Sequence, residues 1–160
     1  MPNTPQVEIG SVASLWRYPV KSMMGEELTA TVVTERGLLG DRAYALVDSS
    51  DGKVATAKNP RTWPNLFDFR ATFIGPPRLS ANVPAVRIAL PDGSIATSQQ
   101  RDLNQILSKA VNRTVTLNAA ERGHAGPAHA EEYWPDIEGL DYRDRVTDFA
   151  LPEGTFFDSA

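Results

Sequence analysis

The 160-residue chain contains no cysteine, which excludes a disulfide framework and any thiolate metal site. It has two histidines, His124 and His129, five apart in a loop rich in glycine and proline with Glu131 close behind. The helical spacing that would align metal ligands is missing, so they read as loop histidines. No run approaches the ~18 uncharged apolar residues of a membrane span. Met1 to Glu8 lacks the basic-then-apolar pattern of a secretion signal, so a cytoplasmic chain with no membrane partner is expected. The aromatics are scattered and have few basic neighbours, which leaves no stacking platform for single-stranded nucleic acid. The net charge of −4 also argues against a nucleic-acid partner. No serine sits in a nucleophile motif with histidine and acid, and Gly37 and Gly40 make neither a P-loop nor a dinucleotide fingerprint.

What is present suffices for one core. Apolar residues make up 41% of a chain long enough to bury roughly two thirds of its unfolded surface. Charge divides along the length: residues 1–80 carry nine Lys/Arg against eight Asp/Glu, and residues 81–160 carry seven against twelve. The acid gathers between Glu131 and Asp158. That run reads as a solvated flank or as a surface that meets a basic partner.

In chain order, Val7 to Tyr18 reads as a strand interrupted near Gly10, and Leu28 to Val33 and Arg42 to Val47 as two more. Asp51-Gly52 is a hairpin signal leading into Lys53 to Thr56. Two prolines exclude regular sheet over Asn59 to Pro64, a loop expected to tuck Trp63 and Leu66 against the core. Phe67 to Ile74 alternates, with Phe67, Phe69, Ala71 and Phe73 on one face. Pro91-Asp92-Gly93 joins Val86–Leu90 to Ser94–Thr97. Leu103, Ile106, Leu107, Ala110 and Val111 then recur at helical spacing, with Ser98 as cap and Asn112 as terminator, and Thr114 to Asn118 closes as a strand.

The expected fold class is α+β: a mostly antiparallel or mixed sheet curling into a barrel-like domain, with one main helix over about 99–111. The β-rich domain is placed at 1–118, and 119–160 reads as an irregular acidic segment.

The stretch from Tyr18 to Arg42 carries the chemistry. Tyr18-Pro19-Val20 ends a strand and delivers Lys21 and Ser22, and the turn Gly37 to Gly40 presents Asp41 and Arg42. An ammonium, a hydroxyl and a guanidinium are the donors a small anion such as a phosphate needs, and Arg can take two oxygens at once. The alternative is ordinary: a solvated Lys21, a turn-forming Ser22, and Arg42 paired with Asp41 or Glu26.

At these residues a resemblance appears. The run VASLWRYPVKSMMGEEL, then GLLGDRAYALVD, then Thr56-Ala57-Lys58 and a proline-bearing loop to Leu66, resembles the N-terminal β-barrel domain of MOSC proteins, a group that includes the mitochondrial amidoxime-reducing component. The resemblance implies a molybdenum cofactor (molybdopterin) shared with a C-terminal MOSC domain, whose cysteine ligates the metal, and an electron-transfer protein as a further partner. It also implies that Lys21, Ser22 and Arg42 contact the cofactor's phosphate and pterin. This chain has no cysteine, and residues 119–160 would lead toward a MOSC domain the sequence does not include. No cofactor is therefore expected on these residues alone. The expectation is a monomer that is non-catalytic by itself, a cofactor-gripping part of an oxidoreductase or sulfur-transfer protein. The alternative is a stand-alone module that binds a phosphorylated small ligand or a protein partner.

Overall fold

Short β-prone runs punctuated by proline and glycine give short strands. The computed structural model describes residues 10–34, 37–79 and 81–120. Its elements are β1 (Leu15–Arg17), β2 (Glu26–Leu28), β3 (Val33–Thr34), β4 (Gly37–Leu38), β5 (Tyr44–Asp48), a 3-10 turn (Leu66–Asp68), β6 (Arg70–Phe73), β7 (Val86–Ala89), β8 (Ile95–Thr97), helix α1 (Leu103–Val111) and β9 (Val115–Ala119).

β5 is the axis. One of its edges pairs antiparallel with β9 along the whole strand, from Tyr44 opposite Ala119 to Asp48 opposite Val115. The other edge is divided between two partners. Val20 bridges Tyr44 in parallel fashion, with the Tyr44 N–H donating to Pro19 O at 3.0 Å and the Lys21 N–H to Tyr44 O at 2.8 Å. Farther along, the Asp48 N–H donates to Lys53 O and the Ala55 N–H to Leu46 O, both at 2.9 Å. Tyr44, Leu46 and Asp48 turn their main-chain groups to this edge, as a pleated strand requires of every second residue.

β6, β7 and β8 form an antiparallel meander. Met24 joins it from the side, donating to Phe69 O at 2.9 Å and accepting from the Ala71 N–H at 2.8 Å. β1 pairs antiparallel with β2, and β3 with β4. The few residues from Val20 to Met24 are thus hydrogen-bonded to both β5 and β6.

Val20, Leu46, Trp63, Leu66, Phe69, Ile88, Leu107 and Val115 are all buried in one core. Each withdraws a side chain worth about 1.5–3 kcal/mol on full burial. Helix α1 turns Leu103, Leu107 and Val111 inward and packs on β9 and β8. It stops at Asn112, whose φ of 54° is left-handed, and the Arg113 N–H closes the end on Ser108 O at 3.1 Å.

Two ion pairs fix the periphery. Arg17 holds Glu26 at 2.7 Å, donates to Leu39 O at 3.3 Å and lies over the Phe73 ring, so β1, β2, the Leu39 turn and β6 meet on one guanidinium. At the far end of β5, Asp48 accepts from Ser50 Oγ (2.6 Å), the Ser50 N–H (2.8 Å) and Arg113 Nε (2.8 Å). Burial pushes the Asp48 carboxyl up, but these donors together outweigh it and hold it down to about 2.

Several sequence expectations need correction. The fold is mostly β with one helix, as α+β requires, but no sheet closes into a barrel among the described residues. Val20–Tyr44 and Met24–Arg70 are single bridges rather than ladders, and Pro19 has no N–H with which to extend the first. Leu28 to Val33 is not one strand, because β2 ends at Leu28 and β3 starts at Val33. Phe67 does not share the inward face of Phe69 and Ala71; it sits on the 3-10 turn and is 62% exposed. The helix begins at Leu103 rather than about 99. Ser98 is not its cap, because its hydroxyl accepts the Val86 N–H at 3.0 Å. Val7, Ile9 and residues 121–160, with His124, His129 and the acidic run, lie outside the described residues. Among the described residues no helix is long and apolar enough to cross a membrane.

Candidate anion-binding site

The chain segments around positions 18–22 and 41–45 run side by side. The Arg42 N–H donates to Tyr18 O at 2.6 Å, and the Tyr18 N–H donates to Asp41 Oδ1 at 2.8 Å. With the Val20–Tyr44 bridge, this brings the YPVKS and GDR loops into direct contact. From the Tyr18–Arg42 contact to Lys21 the chain advances three positions, about 10 Å of strand rise.

Each loop is bent at the residue of interest. Met23 N–H donates to Val20 O at 3.3 Å, closing a turn around Lys21 and Ser22. Ser22 has a φ of 63°, the sign the third position of a type II turn demands and glycine usually meets. Arg42 has a φ of 48°, just after the Leu38–Asp41 turn in which Gly40 takes a φ of 85°. Gly40 has no room for a side chain, since a Cβ would stand 2.8 Å from the Phe73 ring. Among the described residues the only other non-glycine with positive φ is Asn112, which terminates α1. Such conformations cost of order 1 kcal/mol or more each, and they collect where a side chain must be aimed.

The three sequence-predicted residues differ in setting. Lys21 is buried, at 3% exposure. Ser22 is half-buried and its Oγ accepts the Ala57 N–H at 3.1 Å; a hydroxyl so engaged keeps its own proton to donate. The Arg42 side chain is 32% exposed, with Nε on Asp41 Oδ2 at 3.1 Å. Of its two anticipated carboxylate partners it takes Asp41, while Glu26 belongs to Arg17. Beside them Tyr44 sends its hydroxyl to Pro84 O at 2.9 Å, and burial raises its phenol against a smaller lowering by Ser98.

One neighbour is not legible in sequence: the Thr56–Asn59 turn. Thr56 and Asn59 are buried, the Lys58 N–H donates to Thr56 Oγ1 at 3.3 Å, and Ala57 reaches Ser22. The signal that could have found it is the Asp51-Gly52 hairpin, whose register returns Ala55 to Leu46, next to the Val20–Tyr44 bridge.

Lys21, Ser22 and Arg42 thus stand on two loops hydrogen-bonded side by side. Among the described residues no group of three His, Cys, Asp or Glu side chains comes together as a metal site. Compared with known protein families, residues 9–125 match the MOSC N-terminal beta barrel domain, a span that contains every element described above. Comparison with curated proteins finds no match.

Proposed function

The chain belongs to the MOSC N-terminal beta barrel domain family, and on that premise we propose that it grips the anionic tail of a molybdenum cofactor shared with a MOSC domain. Lys21, Ser22 and Arg42 are the gripping residues. The observation that carries this reading is the pair of left-handed, non-glycine residues, Ser22 and Arg42, on two loops hydrogen-bonded side by side. A left-handed glycine would be cheaper at either place. Keeping a hydroxyl and a guanidinium there suggests that the side chains are wanted.

The donor set fits the group: charge-assisted bonds from an ammonium and a guanidinium suit a phosphate, and a hydroxyl completes its shell. When bound, the cofactor would supply the redox or sulfur-transfer chemistry. This chain positions it and offers no thiolate to the metal, having no cysteine. Its work is electrostatic: Asp41 holds Arg42 in place, and the buried Lys21 supplies charge where water screens it little. A MOSC domain and an electron-transfer protein are the partners of this reading, in a cytoplasmic setting.

The test is equilibrium titration of the purified chain with a pterin phosphomonoester. One charge-assisted hydrogen bond is worth about 1.5–3 kcal/mol, so Arg42→Ala should weaken binding at least tenfold. Equal affinity in the variant would remove the assignment. Binding of many unrelated phosphorylated ligands with equal strength would favour a stand-alone module instead.

A further inference from the structure

We infer that the outer face of the β6–β7–β8 meander is a docking surface for this chain's own acidic run, Glu131–Asp144. Register defines the face. Arg70, Ala89 and Ile95 lie opposite one another across the three strands, and so do Thr72, Arg87 and Thr97. The alternate residues Ala71, Ile88 and Ala96 are buried in the core, so these six point the other way. Arg70 and Arg87 are exposed and stand on a diagonal, within the distance over which long side chains act together. Arg70 donates to Gly25 O at 2.6 Å, and among the described residues neither guanidinium meets a carboxylate. Arg17, Arg42 and Arg113, by contrast, already hold Glu26, Asp41 and Asp48. Ile95 is 61% exposed at one corner, and Ile74, 46% exposed, extends the face past Thr72, its N–H donating to Ala85 O at 2.8 Å. Arginine among apolar neighbours with no acid is the composition of a protein interface.

Charge and apolar content together name the occupant. Residues 10–120 carry thirteen Lys/Arg against nine Asp/Glu, whereas residues 121–160 carry three against ten. Glu131–Asp144 reads EEYWPDIEGLDYRD, six acids and one arginine interleaved with Tyr133, Trp134, Ile137, Leu140 and Tyr142. Its carboxylates match the two arginines, and its aromatic and aliphatic residues match the two isoleucines. Glu131 lies eleven positions beyond Ala120, a reach of up to about 36 Å, against a radius of gyration of about 13 Å for a domain of this size. Every face is therefore within reach, and complementarity chooses among them. A tether of that length also gives an effective concentration in the millimolar range, which populates a contact made of only a few surface pairs.

The chain has no cysteine, so Gly139→Cys carries a single nitroxide label in the full-length protein, and paramagnetic broadening of backbone amide signals locates the run. At low salt the amides of Thr72, Arg87 and Thr97 should broaden at least about threefold more than those of β5 and β9, and about 0.5 M NaCl should remove most of the difference. Arg70→Glu combined with Arg87→Glu should remove it as well, whereas Arg61→Glu, off the face, should leave it intact. Asp136→Asn, Glu138→Gln and Asp141→Asn together should abolish it from the other side without touching the sheet, so the test stands even where the arginine variant folds poorly. Broadening spread evenly over residues 10–120, or unchanged by salt and by both sets of substitutions, overturns the inference. Broadening centred on Ser22 and Arg42 would put the run on the anion site instead. Equal broadening when the label and the observed nuclei sit on different molecules would make the occupant a second copy, and either result also overturns it.

Discussion

Replacing Asp48 by Asn tests the electrostatic account of the β5 terminus. The carboxyl is held at about 2 against an ordinary 3.8, because three donors from Ser50 and Arg113 outweigh the cost of burying it. A folded-state pKa below the unfolded one means stabilisation that is present above the unfolded value and lost as pH falls through the folded one. The gap corresponds to roughly 2 kcal/mol at neutral pH, and linkage leaves less than half of it at pH 2.5. Asp48→Asn should therefore lower the urea midpoint at pH 7 by about 1 M, taking a slope near 2 kcal/mol/M. The gap between wild type and variant should shrink by more than half at pH 2.5. That narrowing does not depend on how well the amide fills the space, because Asn does not titrate. Trp63, under the Arg113 guanidinium at 5.2 Å, is a local fluorescence reporter of unfolding. A gap of constant size from pH 7 to 2.5 would show that the donors do not perturb the carboxyl.

Three further outcomes follow from the geometry. Gly25→Ala would drive a Cβ into the backbone carbonyl of Arg17, so the variant should lose at least about 3 kcal/mol or fail to fold, and an unchanged denaturation midpoint would count against the β1–β2 register. Ser22→Gly should leave stability within about 1 kcal/mol, because relief of the left-handed φ offsets the lost bond from the Ala57 N–H, while calorimetry should show several-fold weaker phosphomonoester binding. Asn112→Ala should destabilise by about 1 kcal/mol in urea unfolding, since alanine has no easy access to the left-handed end of α1. Equal stability of the two proteins would mean that the helix end had rearranged.

Local signals in this chain are read well and long-range ones poorly. Helix α1, its Asn112 terminator, the Asp92-Gly93 hairpin and the burial of Trp63 and Leu66 follow from spacing, turn residues and proline, all visible within a dozen positions. The barrel expectation assumes that strand-like runs pair along their lengths. Pairing depends on where donors run out, and Pro19 and the Val20–Met24 turn reduce two ladders to single bridges. Ser98 has the chemistry of a cap but is claimed by the Val86 N–H across β7, a partner no window of sequence reveals. The meeting of the Tyr18–Ser22 and Asp41–Arg42 loops is anticipated from strand ends. The left-handed φ of Ser22 and Arg42 is not, because neither residue type advertises it. The Thr56–Asn59 turn escapes for the same reason as the barrel: its position depends on a divided β5 edge that only the assembled sheet defines.

The divided edge also has a consequence for how the chain is made. β5 leaves the ribosome with its first neighbours, residues 19–21 and 53–55, within a few dozen positions, but β9 emerges roughly seventy residues later, and so distant a closure is slow. Until then the long edge of the central strand stands open on a nascent chain, with the main-chain groups of Ala45 and Val47 as a template for wrong pairing. A chain arrested before position 115 should accordingly be a client for chaperones, while one arrested past 120 should not.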